Sequence, residues 1–150
     1  MAASVMDKME GMKEDFRNAR VVYVTTYGEH GKQYSRPMTN YNEDPYAPMW
    51  FASFKQTKKV EHIVKNPKIK VTFPSSRGED LYEITGTGSL APEEEVRRKW
   101  KWWMLFWQPE YKKYTWFTEG SHLNERAIID VCPVEAKKVK GKDFDFSVTY

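Results

Sequence analysis

The chain has 150 residues and a formal net charge of +3, with 40% hydrophobic and 15% aromatic residues. This length suits one domain with a single core, and the nearly balanced charges argue against a dedicated nucleic-acid binder. The single cysteine, Cys132, excludes an intramolecular disulfide framework, and no stretch has the apolar character of a signal peptide or a membrane-spanning helix. We therefore expect a cytoplasmic protein that makes no membrane contact.

The first part of the chain predicts a helix followed by a β-hairpin. Met6, Met9 and Phe16 recur at roughly helical spacing, which predicts a helix over residues 4–18 with Ser4 near its start. The next segments are rich in β-branched and aromatic residues, and the glycines of GEHGK supply the turn between them. The two strands of this hairpin are predicted at residues 20–27 and 33–41.

Three more strands and a short helix are predicted in the middle of the chain. The strands are predicted at residues 49–54, 68–73 and 81–90. The helix covers residues 57–65, with Val60, Ile63 and Val64 predicted to face the core. It ends before Pro67, because the residue that precedes a proline avoids the helical region.

Glycine and proline positions predict irregular β-structure in the second half of the chain. Gly86 and Gly88 lie on one face of a predicted strand, which indicates a bend or a close approach by another backbone or ligand. Residues 127–139 predict one or two strands, with Pro133 as an interruption. The alternating tail 143–150 is compatible with an edge strand, a partner-binding segment or a loose end.

The stretch 99–117 holds five of the six tryptophans. A helix beginning near Pro92 would align one stripe of apolar side chains, formed by Val96, Trp100, Trp103 and Trp107. Residues 102–107 include no polar side chain, so this helix needs burial on a second side. A subunit interface is favoured, because interfaces concentrate large aromatic rings; an extended core and a base-stacking surface remain the alternatives.

The predicted elements favour a mainly β protein. About six strands are linked mostly by hairpins and do not alternate regularly with helices, which argues against a doubly wound parallel sheet. We predict a six-stranded antiparallel β-barrel with peripheral helices. It would form a single domain over residues 1–140, followed by a C-terminal tail over 141–150.

No familiar catalytic or metal-binding arrangement is visible in the sequence. His30, His62 and His122 are scattered, and Cys132 lies in an apolar segment where a buried, inert thiol is expected. Glycine-rich nucleotide-binding motifs are missing as well. We name no catalytic residue or metal ligand, and an enzyme of this kind would borrow its reactive group.

One candidate anion site stands out. Thr57, Lys58 and Lys59 lie where a strand and loop lead into the N-terminus of a helix, and backbone N–H groups and the helix dipole favour a phosphate there. Arg36, on the preceding hairpin, is placed to reach the same point with its forked donors. Two or three cations suit a phosphate monoester dianion.

The order of these segments resembles a known family. The runs QYSRPM, MWFASF, TKKVEHIVKNPKIKVTF and YEITGTGSL are similar to the pyridoxamine phosphate oxidase-like flavoproteins, and most of all to their general-stress-protein subgroup. The resemblance covers roughly residues 10–135. It implies a split β-barrel of the FMN-binding type, usually a homodimer that holds FMN at its two interfaces.

The resemblance also implies a set of FMN-binding residues. Its phosphate-binding positions fall on Arg36 and Lys59, with Lys58 and Thr57 beside them. The strand along the flavin and the contacts on the next strand fall on Pro37, Met38, Thr39, Ala52 and Ser53. In such dimers the partner subunit covers the flavin ring, so Trp103 and Trp116 are both candidates for the cover.

We therefore expect an FMN-binding homodimer that catalyses a redox reaction on a small organic substrate, with NADH or NADPH as a possible electron donor. Authentic pyridoxamine phosphate oxidases end in an Arg-Leu-x-Pro-type segment, and this chain ends FDFSVTY, so we do not expect vitamin B6 oxidation. A flavin-binding protein without turnover, serving storage, sensing or stress response, is the alternative. Relatives that use deazaflavin or degrade haem share the fold, and no motif selects either chemistry.

Overall fold

The computed structural model describes residues 3–4, 9, 11–76, 78–99 and 126–144 of the chain. Most of these residues lie in β-strands. The strands are β1 (Ala3–Ser4), β2 (Val21–Tyr27), β3 (Gln33–Thr39), β4 (Met49–Phe54), β5 (Lys68–Pro74), β6 (Asp80–Leu90) and β7 (Arg126–Lys140). The helices are α1 (Met12–Asn18), α2 (Lys58–Lys65) and α3, which begins at residue 93 and is described to residue 99.

The six long strands and the two-residue β1 form one curled antiparallel sheet. Its order is β1-β7-β6-β5-β2-β3, and β4 pairs with the first part of β7. Every pairing is antiparallel. The predicted mainly β split barrel is therefore confirmed, and β3 and β4 are long edge strands joined by the loop 40–48. The division into a domain and a tail at residue 140 stays a prediction.

Gly86 allows the barrel to bend where β6 crosses β7. The pairing register shifts between Thr85 and Gly86, and Val134 is the extra residue of a β-bulge opposite them. A Cβ atom on Gly86 would lie 2.5 Å from the carbonyl oxygen of Cys132, so only glycine permits this approach. The close approach by another backbone, predicted from the glycines, is confirmed at this position.

Pro133 does not divide the last strand. β7 runs without a break from Arg126 to Lys140, because the proline lies at the bulge, where its missing N–H removes little from the ladder. Cys132 is exposed, so the expectation of a buried thiol was wrong. It lies beside the bulge, on the side of β7 that faces away from the core.

The barrel interior is filled by apolar side chains from every long strand except β3, whose Met38 packs against the edge of this core. Two helices add to it: α1 contributes Met12 and Phe16, and α2 contributes Val60 and Ile63. Val64 is 69% exposed, so its predicted inward orientation was wrong. The buried residues of α2 are Val60 and Ile63, which are three positions apart, and Val64 lies outside the narrow face that they form.

The predicted first helix begins later than expected. Ala3 and Ser4 pair with β7 as a short strand, so Ser4 does not begin a helix. The helix begins at Met12, after Gly11, whose φ of 80° marks the turn into it.

Two further predictions fall at or beyond the limit of the described residues. Phe144 packs edge-on against the Tyr23 ring at 5.6 Å, and residues 145–150 of the predicted tail lie outside the described part of the chain. The predicted tryptophan stripe beyond residue 99 also lies outside the described part of the chain. Val96, at the start of that stripe, is described and is buried. Among the described residues, no helix has the length and apolar character needed to cross a membrane.

Candidate functional site: a cationic cluster at the end of the barrel

The end of β4 leads directly into the N-terminus of α2. Thr57 occupies the N-cap position with an extended backbone, but its hydroxyl does not cap the helix. Instead it donates to the carbonyl oxygen of Phe54 at 2.8 Å and lies 3.3 Å from the Ser53 hydroxyl. This tight turn sets two hydroxyl groups at the positive end of the α2 dipole, an arrangement that favours anions.

Arg36 is buried at the same end of the barrel. Its side chain points to the core face of β3 and is only 4% exposed. The Nη1 atom donates a hydrogen bond to the Thr26 hydroxyl at 3.2 Å across the β2–β3 hairpin. A guanidinium keeps its charge in any protein environment, so this burial places a permanent positive charge beneath α2.

Lys59 extends this positive charge from the first turn of α2. Burial lowers the pKa of the Lys59 ammonium, and the nearby charge of Arg36 lowers it further. The fold thus holds two cations from separate elements in mutual repulsion. An anion between them would oppose both effects, because it would favour the charged form of Lys59.

The other predicted phosphate contact lies farther out. Lys58 is exposed, and its Nζ atom lies 5.8 Å from the centre of the Tyr34 ring. In contrast, Ser53 is buried and Thr57 is half-buried, and their hydroxyls lie 3.3 Å apart. The structure therefore brings the charges of Arg36 and Lys59 close enough to interact, places the Thr26 hydroxyl against Arg36, and leaves Lys58 exposed.

The residues of β3 that were predicted to lie along the flavin alternate between the two faces of this edge strand. Pro37 and Thr39 are exposed on one face of β3, while Met38 lies on the other and packs against the core. On β4, the backbone N–H of Ala52 donates to the Tyr41 hydroxyl at 2.6 Å. A ligand that used this N–H group would have to displace Tyr41, whose phenol has a pKa raised by burial.

The free edge of β4 is covered by side chains that the sequence did not reveal. Asn42 accepts a hydrogen bond from the Trp50 N–H at 3.0 Å and donates one to the Trp50 carbonyl oxygen at 3.0 Å. Its amide thereby replaces a neighbouring strand, which protects an exposed edge from foreign pairing. The segment NYN directly after β3 was the available signal, because short amides commonly pair with nearby backbone.

Thr26 and His62 were also missed as members of the cluster. The His62 Nδ1 atom lies 2.9 Å from the Thr26 hydroxyl that accepts from Arg36. Burial lowers the pKa of His62, and the charge of Arg36 adds to this effect. His62 follows Lys59 by three residues on α2, so helical spacing alone placed both side chains on neighbouring positions of one face.

The two candidate covers of a bound ring, Trp103 and Trp116, lie outside the described residues. Their assignment stays a prediction.

Comparisons with known proteins show which family the chain matches. A family model described as "Pyridoxamine 5'-phosphate oxidase like" matches residues 7–146. No curated protein sequence matches the chain.

Solved structures with the same fold come from several bacteria. A Clostridium acetobutylicum protein related to general stress protein 26 of B. subtilis has 18% identity and a TM-score of 0.63, over 85% of this chain and 84% of that one. General stress protein 26 from Bacillus anthracis has 20% identity and a TM-score of 0.60, over 87% and 92%. HupZ of Group A Streptococcus has 14% identity and a TM-score of 0.63, over 96% and 99%.

Proposed function

Because the chain belongs to the pyridoxamine 5'-phosphate oxidase-like family, whose members typically bind flavin, we propose that it is an FMN-binding homodimer that catalyses a redox reaction on a small organic substrate. The observation that carries this proposal is that the buried Arg36 lies close enough to Lys59, in the first turn of α2, for their charges to interact. Two partly or fully buried cations with adjacent hydroxyls form a donor set suited to a phosphate monoester.

The residues around this cluster fit FMN better than an uncharged flavin. Arg36 and Lys59 would hold the phosphate dianion, and the Ser53 hydroxyl would donate to one of its remaining oxygens, because the Thr57 hydroxyl already donates to the Phe54 carbonyl oxygen. The ring system would lie along Pro37 to Thr39 of the edge strand β3. The partner subunit would cover it with Trp103 or Trp116.

When bound, FMN would supply the redox chemistry, and the protein would supply binding and orientation. The burial of Arg36 keeps competing water away from one side of the phosphate, which strengthens the charge-assisted hydrogen bonds there.

Flavin binding is tested with the purified protein. Its visible absorption spectrum and the mass of any released compound identify a bound flavin, and FMN titration of the apo-protein gives the affinity. We expect Arg36→Ala and Lys59→Ala each to weaken FMN binding by about 1–3 kcal/mol. Lys65→Ala, at the exposed far end of α2, is the matched control and should leave the affinity unchanged. Unchanged affinity in both test variants would place the phosphate elsewhere.

Catalysis is tested separately from binding. The FMN-loaded protein is mixed with NADH or NADPH without oxygen, and loss of the flavin absorption is followed. Bleaching by either donor supports an oxidoreductase. If no physiological donor reduces the flavin, the protein binds FMN without turnover and serves storage or sensing.

The homodimer is tested by light scattering of the wild type and of Trp103→Ala. We expect the wild type to have twice the mass of one chain and the variant to shift toward the monomer. A monomeric wild type would contradict the proposed interface site, and a dimeric variant would remove Trp103 from the interface.

A further inference from the structure

Three side chains from three separate elements form a hydrogen-bonded row at the end of the barrel where Arg36 and Lys59 lie. Arg36 of β3 donates through Nη1 to the Thr26 hydroxyl of β2 at 3.2 Å. The same hydroxyl lies 2.9 Å from Nδ1 of His62 on α2. Thr26 is fully buried, so water does not compete for its single hydroxyl. We call this row the Arg36–Thr26–His62 relay.

The donor chemistry of Arg36 limits where the protons of the relay can lie. A guanidinium only donates, so the Thr26 oxygen accepts from Arg36 and its own proton remains available to His62. The Thr26 oxygen also has a second lone pair, so the contact with His62 fits either tautomer; with Thr26 as the donor, Nδ1 of His62 accepts and the ring proton lies on Nε2. We propose that Thr26 and neutral His62, protonated on Nε2, are positioning residues that fix the Arg36 guanidinium for an anion held with Lys59.

The surroundings of His62 favour this neutral state. Burial is the largest cause that lowers its pKa, followed by the charge of Arg36, and two cations of its own helix, Lys58 and Lys65, act in the same direction. Glu61 opposes them.

The ring of His62 is also held in place. The Tyr34 ring of β3 packs against it at 4.6 Å. Gly28 lies so close that a Cβ atom there would approach Nε2 to 3.2 Å. Restrained on both sides, the ring can serve as a fixed acceptor for Thr26.

A fixed guanidinium matters for binding because an arginine side chain otherwise loses rotamer freedom when it grips an anion. The relay would remove that loss in advance by tying Arg36 to α2, the helix that carries Lys59. This inference rests on the proposed FMN function, and the test therefore compares FMN with riboflavin, which has the same ring system but no phosphate.

Two matched pairs of variants test the relay by titration with FMN and with riboflavin. Thr26→Val keeps the shape and removes the hydroxyl, whereas Thr26→Ser keeps the hydroxyl. His62→Leu removes the acceptor, whereas His62→Asn keeps a polar atom at the δ position. We expect Thr26→Val and His62→Leu to weaken FMN binding about five- to tenfold, with riboflavin binding unchanged. The serine and asparagine variants should restore most of the loss.

A double variant separates positioning from general damage. With Arg36→Met in the background, Thr26→Val should cause no further loss of FMN affinity, because the group that it supports is gone. Additive losses would overturn the relay. Thermal unfolding of each variant shows whether it folds, and a nitrogen-15 NMR spectrum of the wild-type histidines at neutral pH provides a test that needs no variant. An Nε2–H tautomer of His62 is expected, and an Nδ1–H tautomer would overturn the proposal.

The outcomes distinguish the relay from the proposed function. If the wild type binds FMN no more tightly than riboflavin, the phosphate site is wrong and the relay fails with it. If the wild type prefers FMN but Thr26→Val retains the full preference, the FMN proposal stands and the relay alone is overturned.

Discussion

Two places in this barrel gather positive charge, and they differ in what balances it. On the face of the sheet opposite the core, Glu83 lies 3.6 Å from the Nζ atom of Lys70 and 3.6 Å from that of Lys137. We call this trio the Glu83 cluster. At the end of the barrel, Lys59 instead lies in the field of another cation, Arg36, which donates a hydrogen bond to the Thr26 hydroxyl.

The difference separates a structural arrangement from a binding arrangement. In the Glu83 cluster the protein supplies its own carboxylate, so its lysines gain less from an external anion. At the proposed anion site, the repulsion between Arg36 and Lys59 would cost stability in the free protein and would be relieved by a ligand of opposite charge. Four measurements sharpen this comparison, in order of decreasing expected effect.

The largest effect is the stabilisation by FMN. At a concentration about 100 times its dissociation constant for the wild type, FMN should raise the free energy of unfolding by about 2.7 kcal/mol. The same FMN concentration should stabilise Glu83→Gln equally, but Lys59→Met by only about 1.4 kcal/mol if its affinity falls tenfold. Thermal or urea unfolding with and without FMN measures these differences. Equal stabilisation of all three proteins would show that Lys59 does not contact the ligand.

The second effect is the loss of the balancing carboxylate. Glu83→Gln leaves Lys70, whose side chain is 14% exposed, without its ion pair, and we expect the free energy of unfolding to fall by about 1–3 kcal/mol. The more exposed Lys137 contributes less. Glu61→Gln, which breaks an exposed pair with Lys65, is the control and should change stability by less than about 0.5 kcal/mol. Equal effects in urea unfolding would contradict the structural role of the Glu83 cluster.

The third effect, unlike that of Glu83→Gln, is a rise in the free energy of unfolding of the FMN-free protein. Lys59→Met removes one of two repelling cations and keeps the apolar stem, so the FMN-free variant should be more stable than the wild type by about 0.5–1 kcal/mol. The same variant should bind FMN more weakly. A destabilised Lys59→Met variant would mean that Lys59 supports the fold and that its charge is already balanced.

The smallest effect is the pH dependence due to His62. Its pKa in the folded protein lies below the ordinary value of 6.5, because of burial, Arg36, Lys58 and Lys65, with Glu61 opposing. The unfolded chain therefore takes up a proton more readily, so His62 contributes stability above pH 6.5 that is lost as the pH falls through its folded pKa. Urea unfolding between about pH 5 and 7.5 should show a smaller acid loss in His62→Asn than in the wild type. An identical pH profile would contradict a neutral His62.

Much of the fold was predictable because strand signals are local. β2 to β6 coincide closely with runs of β-branched and aromatic residues bounded by turn glycines, prolines and polar residues. The exposure of Val64 and Cys132 was not predictable, since it depends on where α2 and the bulge of β7 meet the rest of the barrel. The two-residue pairing of Ser4 with β7 likewise depends on a partner more than 100 residues away.

The cationic cluster of the proposed anion site was predictable in part. The lysines at the start of α2 and the mid-strand Arg36 carry chemical signals of their own, and their proximity followed from the predicted order of hairpin and helix. Thr26 and His62 carry no such signal, because a threonine in a strand and a histidine on a helix are ordinary residues. Only the pairing of Val24 with Arg36, which sets the β2–β3 register, and the position of α2 bring them into contact.

The central claim is that the Arg36–Lys59 cluster grips a phosphate group. The most direct measurement is the ratio of the dissociation constants of riboflavin and FMN for the wild-type apo-protein at one pH and salt concentration. With two charge-assisted contacts to the phosphate, FMN should bind at least about 100-fold more tightly. Equal affinities for the two flavins would contradict the claim.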